Sequence, residues 1–348
     1  MEKSKKSKIV FSTVAVIVLV ALAVVGFFVY KSKSPYKKKS KTDFAMGSVI
    51  SVQTFNSKYD ENVEQRVIDC IKDHDKFLSN KIESSTISML NEGTTVTLDN
   101  FTYDALVMSK KIYKKTDGKA ALTVGALSKL WDFDSGKNVV PEKEDIEKVL
   151  KTVNDDNLRF NERQTSVKNG SILDLGSIGK GFACDKAARV LNESDVENAV
   201  VAVGGSIYAK GYTAPGRKIR VGIRNPFGNE NEYLGYISTD NAFISTSGNY
   251  EKVFEKDGKK YHHLLDCTTG YPVEGDLISV TVICDNGAKS DALSTACFVM
   301  GYGEKTLSLL ADEDAEAIFV FEDKSVIITK KLNSSFTLTD NSFTVTKV

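Results

Sequence analysis

Residues 174–181 read Asp174-Leu175-Gly176-Ser177-Ile178-Gly179-Lys180-Gly181 and form a glycine-rich turn. The residues before it, 171–175, predict a short strand, and residues 181–191 have the periodicity of a helix. Glycines let backbone N–H groups approach a phosphate closely, and a helix N-terminus favours an anion. The spacing fits neither common glycine-rich nucleotide motif, so the turn alone leaves a phosphate site and a purely structural turn open.

On both sides of this turn, strand-like and helix-like segments are mixed. Residues 48–55, 199–203 and 278–283 are predicted strands. Residues 61–78, 101–116, 142–153 and 289–300 are predicted helices, and residues 317–348 alternate again. Because no regular strand–helix–strand repeat is present, the pattern indicates one α+β body.

The formal net charge of the 348 residues is zero, with 46 basic and 46 acidic side chains, but the charge is unevenly distributed. Residues 1–42 contain ten lysines and a single acid, Glu2, so the rest of the chain is acidic. Binding to nucleic acid requires basic residues clustered on the folded body. The charge distribution therefore disfavours a nucleic-acid partner.

The N-terminal region contains 22 consecutive uncharged residues, 9–30, with lysines on both sides. As a helix rising ~1.5 Å per residue, this run covers the ~30 Å hydrocarbon core of a membrane. We expect a cytoplasmic tail at 1–8, a single-pass anchor at 9–30, a solvated lysine-rich tether at 31–42 and a catalytic body at 43–348. A cleaved signal ending near Ala21-Leu22-Ala23 is the alternative. Charge leaves the orientation open, but a short N-terminal tail more often stays inside, which places the body on the extracytoplasmic side.

The cysteines are odd in number, widely spaced and without a C-x-x-C pair. They are Cys70, Cys184, Cys267, Cys284 and Cys297. This arrangement indicates neither a disulfide framework nor a zinc site, and it is typical of small core residues.

Three other segments have side chains suited to phosphate chemistry. Residues 245–248, Ser-Thr-Ser-Gly, are able to bind phosphate or simply to satisfy a turn. His263, on the same strand face as Tyr261 and Leu265, suits proton abstraction from a hydroxyl, although a single histidine is more often structural. Asp291 and Thr295 share a helix face, and their oxygens suit Mg²⁺, but an N-terminal helix cap is an equally good interpretation of Asp291.

Taken in order, eight pieces of the sequence resemble the ApbE family of FAD:protein FMN transferases, from about Phe44 to the C-terminal strands. The pieces are Met46-Gly47-Ser48, Leu78-Ser79 before Asn91, residues 123–127 before Leu130-Trp131, residues 174–181, Val203-Gly204-Gly205, residues 245–248, residues 263–270 and residues 290–295. Each piece is weak alone, whereas eight in the right order are specific.

The resemblance implies an α+β, T-fold-like body with mixed and antiparallel sheets, flanking helices and a cleft for FAD. It also implies a Mg²⁺-dependent reaction in which FAD is the substrate. FMN is joined through its phosphate to a threonine or serine of another protein, and AMP is released. The acceptors implied are exported or membrane redox proteins with a motif of the type Asp-x-x-Ser/Thr-Gly/Ser-Ala-Thr/Ser.

Site residues follow from the same resemblance. Asp291, Thr295 and the backbone carbonyl of Gly179 match metal ligands, and His263 matches the base that deprotonates the acceptor hydroxyl. The positions that match contacts to the flavin nucleotide are Met46, Lys81, Lys119, Ala120, Ala121, Gly176, Phe182 and Leu265.

The sequence departs from the family pattern at four positions. Ala121 replaces a residue that is often acidic, and Ser294 replaces one that is acidic in some members. Lys81 lies at a position that is often aromatic, and Cys267 stands where proline is common. Two alternative functions remain: a Mg²⁺-dependent FAD pyrophosphatase that gives FMN and AMP, and a non-enzymatic surface flavin-binding protein. Residues 291–297 miss the acceptor motif at two places, so automodification is not expected.

Overall fold

The computed structural model describes residues 38–55, 62–80 and 82–348. The predicted tail and anchor, most of the tether and Lys81 lie outside the described residues. In the described ranges, no helix is both long enough and apolar enough to cross a bilayer. Residues 39–348 form one compact unit.

The strands are β1 Lys38–Ala45, β2 Ser48–Phe55, β3 Val96–Thr97, β4 Leu158–Asn161, β5 Gln164–Val167, β6 Ala199–Val203, β7 Ser206–Lys210, β8 Tyr212–Ala214, β9 Arg217–Arg224, β10 Tyr233–Thr239, β11 Asn241–Gly248, β12 Val253–Lys256, β13 Lys259–His262, β14 Leu277–Cys284, β15 Glu316–Phe321, β16 Ser325–Ile328, β17 Phe336–Leu338 and β18 Thr344–Lys347. The α-helices are α1 Val63–Leu78, α2 Thr86–Asn91, α3 Asn100–Lys115, α4 Gly125–Trp131, α5 Lys143–Leu150, α6 Gly179–Glu193, α7 Gly287–Met300 and α8 Glu304–Asp312.

The centre of the body is a nine-stranded sheet in the order β1-β2-β6-β7-β11-β14-β15-β16-β18. Neighbours from β2 to β16 run antiparallel, and β18 joins β16 in parallel. A four-stranded sheet, β17-β10-β9-β8, a three-stranded sheet, β3-β5-β4, and the β12–β13 hairpin complete the described strands. These mixed sheets and their helices confirm the α+β prediction.

Period-two alternation divides the large sheet into two buried faces. On β15, Phe319 and Phe321 pack in the cluster that includes residues of α7, whereas Ile318 and Val320 pack in the cluster that includes β9 and β10. Successive side chains of a strand point to opposite faces, so one apolar strand contributes to both cores. The sheet therefore lies between a helical layer, which includes α6 and α7, and the four-stranded sheet.

Several predicted elements are present, some with shifted ends. The strands predicted over 48–55 and 199–203 have those bounds, and β14 extends the prediction over 278–283 by one residue at each end. The helices predicted over 101–116, 142–153 and 289–300 correspond to α3, α5 and α7. The described part of the helix predicted over 61–78 begins at Val63, and α6 begins two residues before its predicted start.

The strand predicted over 171–175 is wrong, because only an isolated bridge between Ile172 and Val124 is present there. The side-chain amide of Asn91 donates to the Leu173 carbonyl at 3.1 Å, and its oxygen accepts from the Leu173 N–H at 2.7 Å. The backbone groups of Leu173 are thus satisfied by a side chain rather than by a neighbouring strand.

The boundary between tether and body also needs correction. β1 begins at Lys38, so residues 38–42 belong to the first strand of the nine-stranded sheet rather than to a tether. Lysines are well tolerated on an edge strand, where they keep the unpaired backbone edge solvated. An ion pair of 2.5 Å between Lys72 on α1 and Asp43 on β1 links the strand to the helical layer.

Candidate active site

Helices α6 and α7 approach each other closely at two glycines. A Cβ atom added to Gly181 would lie 2.0 Å from the carbonyl oxygen of Gly287, and one added to Gly287 would lie 2.1 Å from that of Gly181. No side chain fits between the two backbones at this point. The approach brings the N-terminal ends of both helices together.

Each helix contributes a carboxylate to the N-terminal end of the other. Asp291 of α7 accepts from the Gly181 N–H at 2.8 Å, and Asp185 of α6 accepts from Gly287 and Ala288 at 2.7 and 2.8 Å. A carboxylate is favoured at a helix N-terminus by both hydrogen bonds and the helix dipole. The interpretation of Asp291 as the cap of its own helix is wrong, because Asn286 has that role.

The pKa of Asp291 reflects this environment. The residue is only 5% exposed, and burial raises the pKa of its carboxyl. The positive charge of Lys180, the Gly181 N–H and the hydroxyl of Ser206, at 3.2 Å, lower it. Asp291 is thus a buried carboxylate whose negative charge is stabilised by two hydrogen-bond donors and by Lys180. A bound metal ion would stabilise the same charge further.

Residues 245–248 all lie in strand β11, so the expectation that they form a turn is wrong. Their serines face α7 instead. Ser245 contacts Ser290 at 2.8 Å, and Ser247 contacts Ser294 at 2.9 Å and Thr295 at 3.1 Å. These contacts attach α7 to the sheet and orient the hydroxyl of Thr295.

The donor set expected for Mg²⁺ is consistent with these positions. Asp291 and Thr295 lie one turn apart on α7, and Gly179 is the first residue of α6. A carboxylate, a hydroxyl and a carbonyl are all hard oxygen donors, which Mg²⁺ prefers when it is shared with a substrate phosphate. The described residues contain no group of three His, Cys, Asp or Glu side chains that could hold a metal ion. A metal at Asp291 would therefore depend on other oxygen donors, such as those of a substrate phosphate.

His263 lies directly after β13, which ends at His262, so it is not part of the strand that the sequence predicts. Its Nδ1 lies 3.0 Å from the carbonyl of Glu251. A carbonyl only accepts, so Nδ1 carries the proton of the neutral ring and Nε2 has a free lone pair. Burial and the charges of Lys252 and Lys180 lower the pKa of His263 to about 4. The ring is therefore neutral at pH 7, the state that a general base needs.

The predicted nucleotide contacts at 119–121 run beside the segment that follows His263. Lys119 forms an ion pair of 2.7 Å with Asp266, and the Cys267 N–H donates to the Lys119 carbonyl at 2.9 Å. Asp155, which the local sequence pattern does not single out, accepts from the N–H groups that follow, at residues 122 and 123. Hydrogen bonds on both sides, at Lys119 and at residues 122 and 123, thus fix the position of Ala120 and Ala121.

Met46 lies in a turn close to the glycine-rich segment, and Gly176 lies within that segment. The backbone N–H of Met46 donates to Asp75 at 2.9 Å, and the Met46 Cε lies 3.3 Å from a Cβ built on Gly179. Gly176 is exposed, and its N–H donates to Asp174 at 2.8 Å. Both residues are therefore close enough to the start of α6 to contact a nucleotide that binds there.

Two predicted nucleotide contacts have side chains that are committed to the core. Phe182 is 2% exposed, with its ring stacked on Phe101 at 5.0 Å between centroids. Leu265 is buried in the cluster that contains Leu127 and Trp131. The side chains of both residues therefore pack in the core, and their contacts with a nucleotide stay predictions. The periodicity of α6, with Phe182 on its buried face, is the signal that identifies the core role of the ring.

His74, which no sequence motif identifies, lies beneath the start of α6. Its ring meets that of Phe182 edge-on at 4.6 Å, and its Nε2 has no hydrogen-bond partner among the described residues. Burial, together with the charge of Lys186, lowers the pKa of His74 to about 3. His74 is thus a neutral, buried imidazole next to the candidate site.

Replacing His74 by phenylalanine should make the protein less sensitive to acid. The pKa of the imidazole is about 3 in the folded protein, against an ordinary value of 6.5 that the unfolded chain regains. The unfolded chain thus binds more protons as the pH falls below 6.5, and stability is lost through that window. Phenylalanine takes up no proton. In urea unfolding at about pH 7 and about pH 5, the wild type should lose more free energy of unfolding than His74→Phe. Equal losses would contradict a buried neutral His74.

The chain matches a known family over most of its length. The family model of the ApbE family matches residues 46–319. Two proteins named FAD:protein FMN transferase, from Klebsiella pneumoniae (strain 342) and Treponema pallidum (strain Nichols), are each 29% identical to it, over 306 and 320 residues. The first alignment covers 86% of this chain and 94% of the relative, and the second covers 83% and 86%.

Solved structures show the same similarity. The ApbE protein of Thermotoga maritima has a TM-score of 0.76 at 31% identity, over 83% of this chain and 96% of that chain. The flavinyl transferase ApbE of Pseudomonas stutzeri has a TM-score of 0.72 at 28% identity, over 82% and 91%. The flavin transferase ApbE of Vibrio cholerae, at 23% identity, shares the fold with a TM-score of 0.74 over 89% and 99%.

Proposed function

Because this chain belongs to the ApbE family, we propose that it is a Mg²⁺-dependent FAD:protein FMN transferase. It joins FMN through its phosphate to a threonine or serine hydroxyl of another protein and releases AMP. One observation carries the proposal: the carboxylate of Asp291, a residue of α7, lies at the start of α6, and the charge of Lys180 in that turn acts on both Asp291 and His263. A candidate metal ligand and a candidate base thus share one electrostatic environment.

The residues of this chain have distinct roles in the proposed reaction. Nε2 of His263 accepts the proton of the acceptor hydroxyl, whose oxygen attacks the phosphorus on the FMN side of the diphosphate. The bond from that phosphorus to the bridging oxygen breaks, and AMP leaves with that oxygen. Gly179, Asp291 and Thr295 would hold Mg²⁺, which when bound neutralises charge on the diphosphate. The hydrogen bond of Nδ1 to Glu251 keeps the ring in the required tautomer.

The acceptors and the location of the enzyme belong to the same proposal. The acceptors are exported or membrane redox proteins with the motif given above, and the body lies on the extracytoplasmic side of the cell membrane. The uncharged run at 9–30 between lysines supports an anchor that holds the enzyme close to such proteins.

Purified protein mixed with FAD, Mg²⁺ and a motif-bearing acceptor should produce a covalent adduct. Intact-mass measurement should show the acceptor heavier by one FMN unit, with AMP released in equal amount. An acceptor whose motif threonine is replaced by alanine is the matched control and should gain no mass. FMN and AMP released without an adduct would show an FAD pyrophosphatase instead. Flavin bound without any cleavage would leave only a flavin-binding protein.

A further inference from the structure

Lys180 lies between the two residues of the turn that the proposed mechanism uses, Gly179 and Gly181. The Gly181 N–H bonds Asp291, and the Gly179 carbonyl is the expected metal ligand. The mechanism gives the side chain of Lys180 no role. Its position at the start of α6 nevertheless places a cation where the diphosphate is expected.

The side chain of Lys180 extends across a second glycine turn. Its Cδ lies 3.4 Å from a Cβ built on Gly204, which has a φ of +55°. Gly204 lies in the turn between β6 and β7, and β7 begins at Ser206, whose hydroxyl contacts Asp291 at 3.2 Å. A Cβ at residue 204 would clash with the Ser48 Oγ, at 2.5 Å, whereas 3.4 Å from the lysine is an ordinary van der Waals distance. The stem of Lys180 therefore lies against this turn.

The ammonium group of Lys180 forms no ion pair with a carboxylate in residues 38–55, 62–80 or 82–348. The oxygens of Asp291, whose carboxylate lies at the same turn, are bonded to the Gly181 N–H and the Ser206 hydroxyl. Other lysines of the site are paired: Lys119 with Asp266, and Lys252 with Asp134 at 2.7 Å. Among the lysines that the structure describes at this site, Lys180 therefore has a charge that is still available for an anion.

Lys180 lies close to both candidate groups of the site. Its stem lies against the turn that leads to Ser206, whose hydroxyl contacts Asp291 at 3.2 Å. Its charge also lowers the pKa of His263, so the ammonium group lies within electrostatic range of that ring. A phosphate held by a metal at Asp291 and attacked by a hydroxyl at His263 has to lie between these two groups. The same region is within reach of the lysine.

We propose that Lys180 is a further catalytic residue, whose ammonium group hydrogen-bonds the diphosphate of FAD and stabilises the departing AMP. This inference rests on the proposed function. When the bond from the FMN phosphorus to the bridging oxygen breaks, the electron pair stays on that oxygen, which becomes a terminal oxygen of AMP. Lys180 donates a hydrogen bond to it and keeps its proton, while the proton of the acceptor hydroxyl goes to His263. An ammonium group fits this task because a charge-assisted hydrogen bond is strong in a partly buried site.

The test compares the purified full chain with Lys180→Met, Lys180→Arg and Lys252→Met in the presence of Mg²⁺. Binding of ADP, FAD and riboflavin is measured by calorimetry, and riboflavin, which has no phosphate, reports on folding. Lys180→Met should weaken ADP and FAD about 10- to 100-fold, leave riboflavin unchanged and slow adduct formation at saturating FAD about 10²- to 10³-fold. Lys180→Arg should restore much of the affinity.

Lys252→Met is the matched control, because it also removes a charge that lowers the pKa of His263. It should leave ADP affinity unchanged. Wild-type affinity for ADP in Lys180→Met, or an equal loss in Lys252→Met, would overturn the proposal. If Lys180→Met also failed to bind riboflavin, its fold would be in question, and the affinities of Lys180→Gln for ADP and riboflavin would be compared instead. Weaker binding of ADP with unchanged binding of riboflavin would support the proposal, and unchanged binding of ADP would overturn it. A wild type that forms no adduct and cleaves no FAD would refute the transferase instead, while the ADP comparison would still decide the role of Lys180.

Discussion

Replacing Asp291 by asparagine should abolish metal-dependent turnover of FAD, with a loss of at least about 10³-fold. The asparagine oxygen still accepts from the Gly181 N–H, which is 2.8 Å from the carboxylate in the wild type, so the start of α6 keeps its hydrogen bond. The negative charge that a divalent cation needs is lost. Initial rates measured against Mg²⁺ concentration should therefore show no stimulation in Asp291→Asn.

The matched control for this variant is Asp285→Asn. Asp285 lies shortly before α7, its carboxylate is highly exposed, and it pairs with Lys289, whose side chain is largely buried. Removing its charge should leave the Mg²⁺ dependence unchanged. An Asp291→Asn protein with a wild-type response to Mg²⁺ would show that the metal ligands are other residues.

Replacing His263 by alanine should slow transfer about 10²- to 10⁴-fold and leave FAD binding largely intact. The imidazole acts on the acceptor hydroxyl rather than on FAD, so its loss affects the chemical step. Because the folded-state pKa is about 4, the base stays neutral down to that pH. The acid limb of the wild-type rate that depends on His263 should therefore lie near pH 4 rather than near 6.5, the ordinary pKa of a histidine.

The neighbouring histidine provides the control. His262 is buried, and its Nε2 contacts the carbonyl of Val273 at 3.0 Å. In His262→Gln the amide keeps a donor for that carbonyl, and the transfer rate should change far less than in His263→Ala. Normal transfer by His263→Ala would show that another group takes the proton.

Much of the candidate site follows from local sequence. The i and i+4 spacing of Asp291 and Thr295 predicts a shared helix face, and both residues do lie on α7. Sequence periodicity also identifies α6, although its start is two residues earlier than predicted. Where prediction failed, side chains from distant segments decide the outcome: the backbone of Leu173 is bonded by Asn91, 82 residues away.

The roles of buried polar groups were harder to predict. Asp185 looks like an ordinary helix residue in the sequence, yet its carboxylate accepts hydrogen bonds from the first two N–H groups of α7, about 100 residues away. Phe182 matches a ligand contact by position, but Phe101 and His74 enclose its ring. The selection of His263 over His262 depended on the family resemblance, because the two histidines are adjacent in the chain. The structure distinguishes them, since His263 is the one whose ring contacts the carbonyl of Glu251.

Elements and candidate ligands can be derived from the linear order of residues, because periodicity and spacing are local properties. The mutual capping of α6 and α7, the close approach of Gly181 to Gly287 and the influence of Lys180 on two distant side chains depend on packing. Hydrogen bonds, burial and Coulomb interactions depend on distance in space, and residues far apart in the chain acquire that distance only when the sheet and its helices assemble.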